Sequence, residues 1–234
     1  MNILVFGASS SIGASVAESF SAGNRMFLTG RDLSGLKTAA QRCRRAGASD
    51  VVEMAWDLGK GSGDLGEEAV RWRPDIIVNA ASASSRLRDN GIAAEELEKI
   101  VSTDLTAPLD VIRAVLSNRR GGQIGIVYIS SFLSVVLSPD RAIYGALKRI
   151  HEKVLLGMAA SQPEVRLMIV RISGRISTEG ESSEARRLGA AVLDGYQRGE
   201  KTMYHGVSGK LGMLLFYVQP VLFVLGVKLS RLVR

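Results

Sequence analysis

Three side chains between positions 129 and 148 have the types and spacing that proton chemistry needs. Ser131 precedes Tyr144 by thirteen positions, and Lys148 follows Tyr144 by four. Residues i and i+4 share one face of a helix, so the Lys148 ammonium can sit under the Tyr144 ring and favour its phenolate. Without such a cation a phenol, with a reference pKa of about 10, is a poor base near neutrality. Ser131 stands just past the apolar run Ile-Gly-Ile-Val-Tyr-Ile at 124–129, where it can hold a carbonyl or hydroxyl oxygen near the phenol. The implied task is proton transfer to or from a substrate oxygen. In most helices a Tyr and Lys at this spacing are only a solvated face, so their meaning depends on what the remaining chain places around them.

The chain opens with the apolar run Asn2–Phe6, followed at once by Gly7-Ala-Ser-Ser-Ser-Ile-Gly13 and by Ile12, Val16 and Phe20 at helical spacing. Strand, glycine turn and helix in that order aim backbone N–H groups and a helix dipole at a phosphate. Gly7, Ser9, Ser10, Ser11, Ile12 and Gly13 form the candidate cradle. A second strand at 25–29 ends on Gly30-Arg31-Asp32, where a doubly wound fold presents its ribose-reading residue. An acid there favours a 2′-hydroxyl and an arginine a 2′-phosphate. Arg31 comes first after the glycine, so the reading is NADP rather than NAD, and Asp32 becomes the N-cap of a helix over Leu33–Arg45. A third strand at 51–55 leads to Asp57 and Leu58, the expected place of an adenine ring, and 59–66 reads as a mobile glycine-rich loop. A fourth strand at 75–78 closes on Asn79-Ala80-Ala81-Ser82, whose small side chains let a cofactor lie against the backbone.

An apolar stripe then predicts one long helix over 93–116, with Pro108 kinking it or offsetting its start. The strand and helix carrying Ser131, Tyr144 and Lys148 follow, the helix running to about Met158. Val165–Ile172 is a sixth strand, 184–197 an amphipathic helix and 201–204 a last short strand. Strands and helices alternate from end to end, which predicts an α/β, Rossmann-type doubly wound sheet of about seven parallel strands with helices on both faces. No repeat or linker divides the chain, so 1–208 reads as one nucleotide-binding domain and 209–234 as an apolar helical tail.

Composition narrows the classes further. A hydrophobic content of 46% over 234 residues supplies a sizeable core and excludes global disorder. The net charge of +7 suits an anionic partner. There is no basic helix with interleaved aromatics, so nucleic acid is not the expected one. Basic residues between Lys37 and Lys60 read mostly as the solvated face of one helix. Cys43 is the single cysteine, a neutral thiol with no disulfide to make, and the default is a reducing, cytoplasmic setting. No charged leader precedes the first strand. His151 and His205 lack metal-ligand spacing, and no metal is expected.

Taken together, the glycine turn from Gly7 to Gly13, Asp57, Asn79-Ala80-Ala81, Ser131, Tyr144, Lys148 and Thr178 resemble the short-chain dehydrogenase/reductase family in order and approximate spacing, over nearly the full length. The resemblance implies Tyr144 as general acid/base, Ser131 as the group orienting the substrate oxygen, and Lys148 as the partner that lowers the tyrosine pKa while bonding the nicotinamide ribose. It also implies that Asn79 lines the nucleotide site and that Thr178 contacts the carboxamide. The reaction class would be hydride transfer between nicotinamide and a ketone or secondary alcohol. A homodimer or homotetramer is expected, built through the helices carrying Asp104 and Tyr144. Three positions depart from the family pattern: Ser11 in the middle of the glycine motif, Ser173-Gly174 in place of Pro-Gly after the sixth strand, and Asp104 where an asparagine helps relay protons to the lysine. A carboxylate at 104 would offset the effect of Lys148 on Tyr144 and alter the pH dependence.

From 211 to 227 the sequence LGMLLFYVQPVLFVLGV is nearly uncharged, with Lys228, Arg231 and Arg234 behind it. Gln219 and Pro220 interrupt seventeen residues, fewer than the roughly 20 that a spanning helix needs. An interfacial hairpin or helix with basic ends fits better, held peripherally on the inner face of a membrane; packing over the cleft or in a dimer is the alternative. Such a tail resembles the subgroup that includes the decaprenylphosphoryl-ribose epimerase reductase subunit, which implies a lipid-linked keto-sugar as substrate. A catalytically impaired NADP-binding sensor or subunit is the competing class.

Overall fold

The computed structural model describes residues 1–83, 92–119, 121–173 and 183–206. Seven parallel strands form one sheet: β1 (Asn2–Phe6), β2 (Arg25–Gly30), β3 (Asp50–Ala55), β4 (Ile76–Asn79), β5 (Ile124–Ser131), β6 (Val165–Ile172) and β7 (Thr202–His205), in the order β3-β2-β1-β4-β5-β6-β7. Alternate side chains of a strand face opposite sides of its sheet, and both sides are apolar here. Ile3 and Val5 join Val16, Leu36, Cys43, Leu188 and Val192 on one face, under α1 (Ser11–Ser19), α2 (Leu33–Arg45) and α7 (Ser183–Arg198). Leu4 and Phe6 join Leu65, Val111, Val115, Tyr128 and Leu155 on the other, under α3 (Gly63–Trp72), α5 (Ala107–Ser117) and α6 (Ala142–Ser161). The doubly wound prediction is met. Strand order reverses direction between β1 and β4, and in open α/β sheets ligands bind at the carboxyl ends of strands beside such a point.

Gly7 makes the turn after β1, at φ 73°, and a side chain there would strike the Ala80 backbone at 2.7 Å. The turn is closed by Ser10, whose hydroxyl donates to the Gly7 carbonyl at 2.8 Å and accepts from the Gly13 N–H at 3.0 Å, capping α1. Asp32 caps α2 as predicted, accepting from Ser34 and Gly35 N–H, each at 3.0 Å.

One expectation for this half is corrected. The stretch 59–66 is not a loose loop: Asp57 caps a 3₁₀ turn over Leu58–Lys60 through the Gly59 N–H, Trp56 Nε1 donates to the Gly61 carbonyl at 2.9 Å, and α3 begins at Gly63. The basic residues from Lys37 to Lys60 are mostly exposed, as expected, with one exception. Arg42 is buried, its guanidinium held by Glu18 and by the Ser15 hydroxyl.

The helix expected over 93–116 is divided in three: α4 (Ala94–Val101), a π turn over Ser102–Thr106, and α5 with Pro108 in its first turn. A π turn inserts one residue into a helix and tends to mark a functional site. The shifted start that Pro108 predicted is this insertion. Among the described residues no helix is long and apolar enough to cross a membrane. The tail lies outside the described residues.

Candidate active site

The first turns of α6 deliver the two residues that the sequence singles out. Tyr144 and Lys148 lie on its buried side, with Lys148 2% exposed. Lys148 Nζ donates to the carbonyls of Ala81, at 3.3 Å, and Ile129, at 3.4 Å, tying α6 to the ends of β4 and β5. It stands 5.8 Å from the Tyr144 ring centre and 5.1 Å from that of Tyr128. Burial works against a charged Lys148, but Tyr128, Tyr144 and the Asp104 carboxylate outweigh it and move its pKa above the ordinary lysine value. The ammonium is therefore kept at neutral pH, in a place where burial alone would discharge it.

Ser131 ends β5 and caps a short turn over Phe132–Ser134 by accepting from the Leu133 N–H at 3.2 Å. Gly145, directly after Tyr144, lets α6 approach that turn: an added Cβ would lie 2.5 Å from the Leu133 carbonyl oxygen. A residue without a side chain thus seats the tyrosine's helix on the serine's turn. Arg141 covers the outer side of Tyr144, its guanidinium 4.8 Å from the ring centre.

Asp104 lies in the π turn, 1% exposed, and is engaged from the loop after β4. Its carboxylate accepts from the Ala83 N–H at 2.6 Å and from the Ser82 hydroxyl at 3.3 Å. The carboxylate does more than offset a cation, because it also fixes the backbone next to Ala81, the residue that holds Lys148. Asn79, also 1% exposed, turns its side chain inward, accepting from the Ala81 N–H at 3.1 Å.

The nucleotide-side residues gather around the glycine turn. Side chains on Gly30 or Gly35 would meet Ser9 atoms at 2.5 and 2.8 Å respectively, so the end of β2, the start of α2 and the turn converge. Arg31 is exposed at that junction, next to the capping Asp32. Ser11 and Ile12 begin α1. Asp57 is occupied with its cap, and Leu58 is 5% exposed within the core. Ala80 and Ala81 face Gly7. Thr178 and Gly174 lie outside the described residues.

Four polar side chains behind the site escaped the sequence reading. Glu152, one turn beyond Lys148 and 3% exposed, accepts from Ser130, at 2.6 Å, from Ser134, at 2.7 Å, and from two guanidinium nitrogens of Arg171, at 3.0 and 2.6 Å. His151 is fully buried against Tyr128, with ring centres 4.2 Å apart and planes 16° from parallel. The Tyr128 hydroxyl is buried, and burial, ahead of any neighbour, pushes its pKa up against the opposing pull of Lys148. The available signal was polar residues on an otherwise apolar face of α6 and an arginine inside an apolar strand.

A profile described as short chain dehydrogenase matches residues 1–185. A short chain dehydrogenase/reductase of Aspergillus aculeatus is 26% identical over 172 residues, a match that covers 71% of this chain and 60% of that protein's length. A short-chain dehydrogenase from Sphingobium yanoikuyae, solved in complex with NADPH, superposes with a TM-score of 0.77 at 25% identity, covering 94% of each chain. A bulky-bulky ketone specific alcohol dehydrogenase from Comamonas testosteroni gives the same TM-score at 24% identity, covering 95% of this chain and 94% of that one, a likeness of fold.

Proposed function

The chain belongs to the short chain dehydrogenase family, an oxidoreductase by descent, and on that premise we propose that it is an NADP-dependent reductase of ketones, or dehydrogenase of the matching secondary alcohols. The observation that carries this reading is the buried Lys148 ammonium beside the Tyr144 ring, at the carboxyl edge of the sheet where β4 and β5 end. The residues present fit a nicotinamide dinucleotide: a glycine turn capped onto α1 for its phosphates, exposed Arg31 for a 2′-phosphate, and the Ala80–Ala81 backbone for the ribose side. The bound cofactor supplies the hydride. In the reducing direction Tyr144 gives its phenolic proton to the substrate oxygen as the carbon is reduced. Lys148 stabilises the charge that this leaves on the phenol, and the Ser131 hydroxyl donates to the same substrate oxygen.

For the substrate we favour an apolar or lipid-linked ketone, including a lipid-linked or nucleotide-linked keto-sugar. Support comes from the segment after Ser131, where Phe132, Leu133, Val135 and Val136 are half-buried and Leu137 is 77% exposed, and from the apolar sequence at 211–227 with its basic end. Peripheral contact with a membrane through 211–234 and a homo-oligomer belong to the same reading. The second reading, an NADP-binding sensor or subunit without turnover, is favoured by the Asp104 carboxylate in the pocket of Lys148.

The test is oxidation of NADPH against a panel of ketones and keto-sugars, with NADPH and NADH titrated separately. Tyr144→Phe is expected to bind NADPH with unchanged affinity and to lose on the order of 10²- to 10⁴-fold in kcat. NADPH binding without turnover of any ketone would select the sensor reading, and preference for NADH would remove Arg31 from its role. In liposome flotation the full chain is expected to partition with anionic vesicles more than a chain ending before Leu211.

A further inference from the structure

Pro108 has no N–H, so it cannot bond the carbonyl four residues earlier in a helix, and its ring crowds that carbonyl. The carbonyl in question is that of Asp104. The chain meets this by widening into the π turn over Ser102–Thr106, and the Asp104 carbonyl receives a donor from elsewhere: His151 Nδ1, at 2.8 Å. Because a carbonyl can only accept, Nδ1 carries the proton, and Nε2 is left to accept from Asn79 Nδ2 at 3.5 Å. The ring is held flat against Tyr128.

We propose that His151 is a positioning residue: its Nδ1–H pins the π turn, and so sets where the Asp104 carboxylate stands relative to Lys148 and to the loop that Lys148 grips. The proposal rests on the reading of Tyr144 and Lys148 as the proton-transfer site. One imidazole joins the π turn, the inward side chain of Asn79 at the end of β4, Tyr128 of β5, and α6 one turn beyond Lys148. The ionisable groups around it are Asp104 from the π turn, Tyr128 from β5, and Lys148 and Glu152 from α6. Burial, reinforced by Lys148, keeps the ring neutral against the opposing pull of Asp104 and Glu152, moving its pKa down to about 4. Protonation would place an N–H on Nε2 opposite the Asn79 amide, two donors face to face.

An asparagine amide nitrogen occupies nearly the place of an imidazole Nδ1, and a glutamine amide nitrogen that of Nε2. His151→Asn is therefore expected to retain kcat and its pH profile to within about threefold. His151→Gln and His151→Leu are expected to lose about tenfold or more in kcat, since misplacement of about 1 Å near a reacting group is enough for that, with a displaced pH profile and an unchanged Kd for NADPH. Nitrogen NMR of the NADPH-bound wild type is expected to show a neutral ring protonated at Nδ1, a signature that does not require turnover. A wild-type pH profile in His151→Leu would overturn the proposal, as would equal impairment of the Asn and Gln variants, or an Nε2-protonated or charged ring at neutral pH. Absence of turnover in the wild type would instead overturn the enzymatic reading, with the NMR result still deciding the geometry.

Discussion

Lys148 and His151 are buried one helical turn apart, and the same medium treats them in opposite ways. Lys148 has phenols and a carboxylate as neighbours, so its folded pKa lies above the ordinary 10.5. The stability this adds is fully present below that value and is lost only as pH rises through the higher folded one. At neutral pH it is therefore present in full, and titration near pH 7 does not change it. His151 has burial and the Lys148 charge against it and falls from 6.5 to about 4. The unfolded chain therefore binds a proton that the native one refuses, and stability declines as pH falls from 6.5 towards 4, then levels off. A displacement of that size is worth roughly 3 kcal/mol. Urea unfolding at about pH 7 and about pH 4.5 is expected to show most of this loss, about 2 kcal/mol, in the wild type and a much smaller one in His151→Asn, which has no proton to take up. Equal acid sensitivity of the two proteins would place the titrating group elsewhere.

Helix α6 carries the candidate catalytic side chains and their supports in successive turns, and the supporting ones mark the limit of what the sequence discloses. Tyr144 and Lys148 were legible because chemistry fixes their spacing, and Asp32 because a helix cap has a local signature. Glu152 and Arg171 are 19 positions apart and meet only because β6 runs beneath α6, a contact that no local pattern encodes. The π turn was half legible: Pro108 announced a break, but its form depends on His151, reached from 47 positions away. The long helical stripe misled because only its second part faces the core: Val111, Ile112 and Val115 of α5 join the cluster, whereas Leu97 of α4 is exposed. Glu152 is the strongest test of this supporting layer. Breaking a buried ion pair by removing one partner leaves a charge without compensation and costs about 3–5 kcal/mol. Glu152→Ala strands Arg171, whose side chain is 15% exposed, and frees the Ser130 and Ser134 hydroxyls beside Ser131. Denaturant unfolding is expected to show a loss near the lower end of that range, since Arg171 keeps its bond to the Tyr204 hydroxyl. A change below about 1 kcal/mol would mean that the pair adds little, as exposed pairs do.

In the whole molecule one sheet unites the candidate nucleotide half, β1 to β3, with the half that bears Ser131 and Tyr144, and the strand order reverses where the two halves meet. The fold was legible from the alternation of strand and helix patterns. The part played by the far edge, where Tyr204 of β7 reaches back to Arg171, was not. Cys43 lies in the nucleotide half, wholly enclosed under α2, and burial raises its thiol pKa. As the single cysteine, it gives the molecule an internal clock. A thiol reagent can label Cys43 only in the moments when α2 lifts from the sheet, so the labelling rate counts openings of the native protein. Saturating NADPH at about a hundred times its Kd should slow that clock by about a hundredfold if α2 opens only after the nucleotide has left. An unchanged rate would show α2 moving while the nucleotide stays bound.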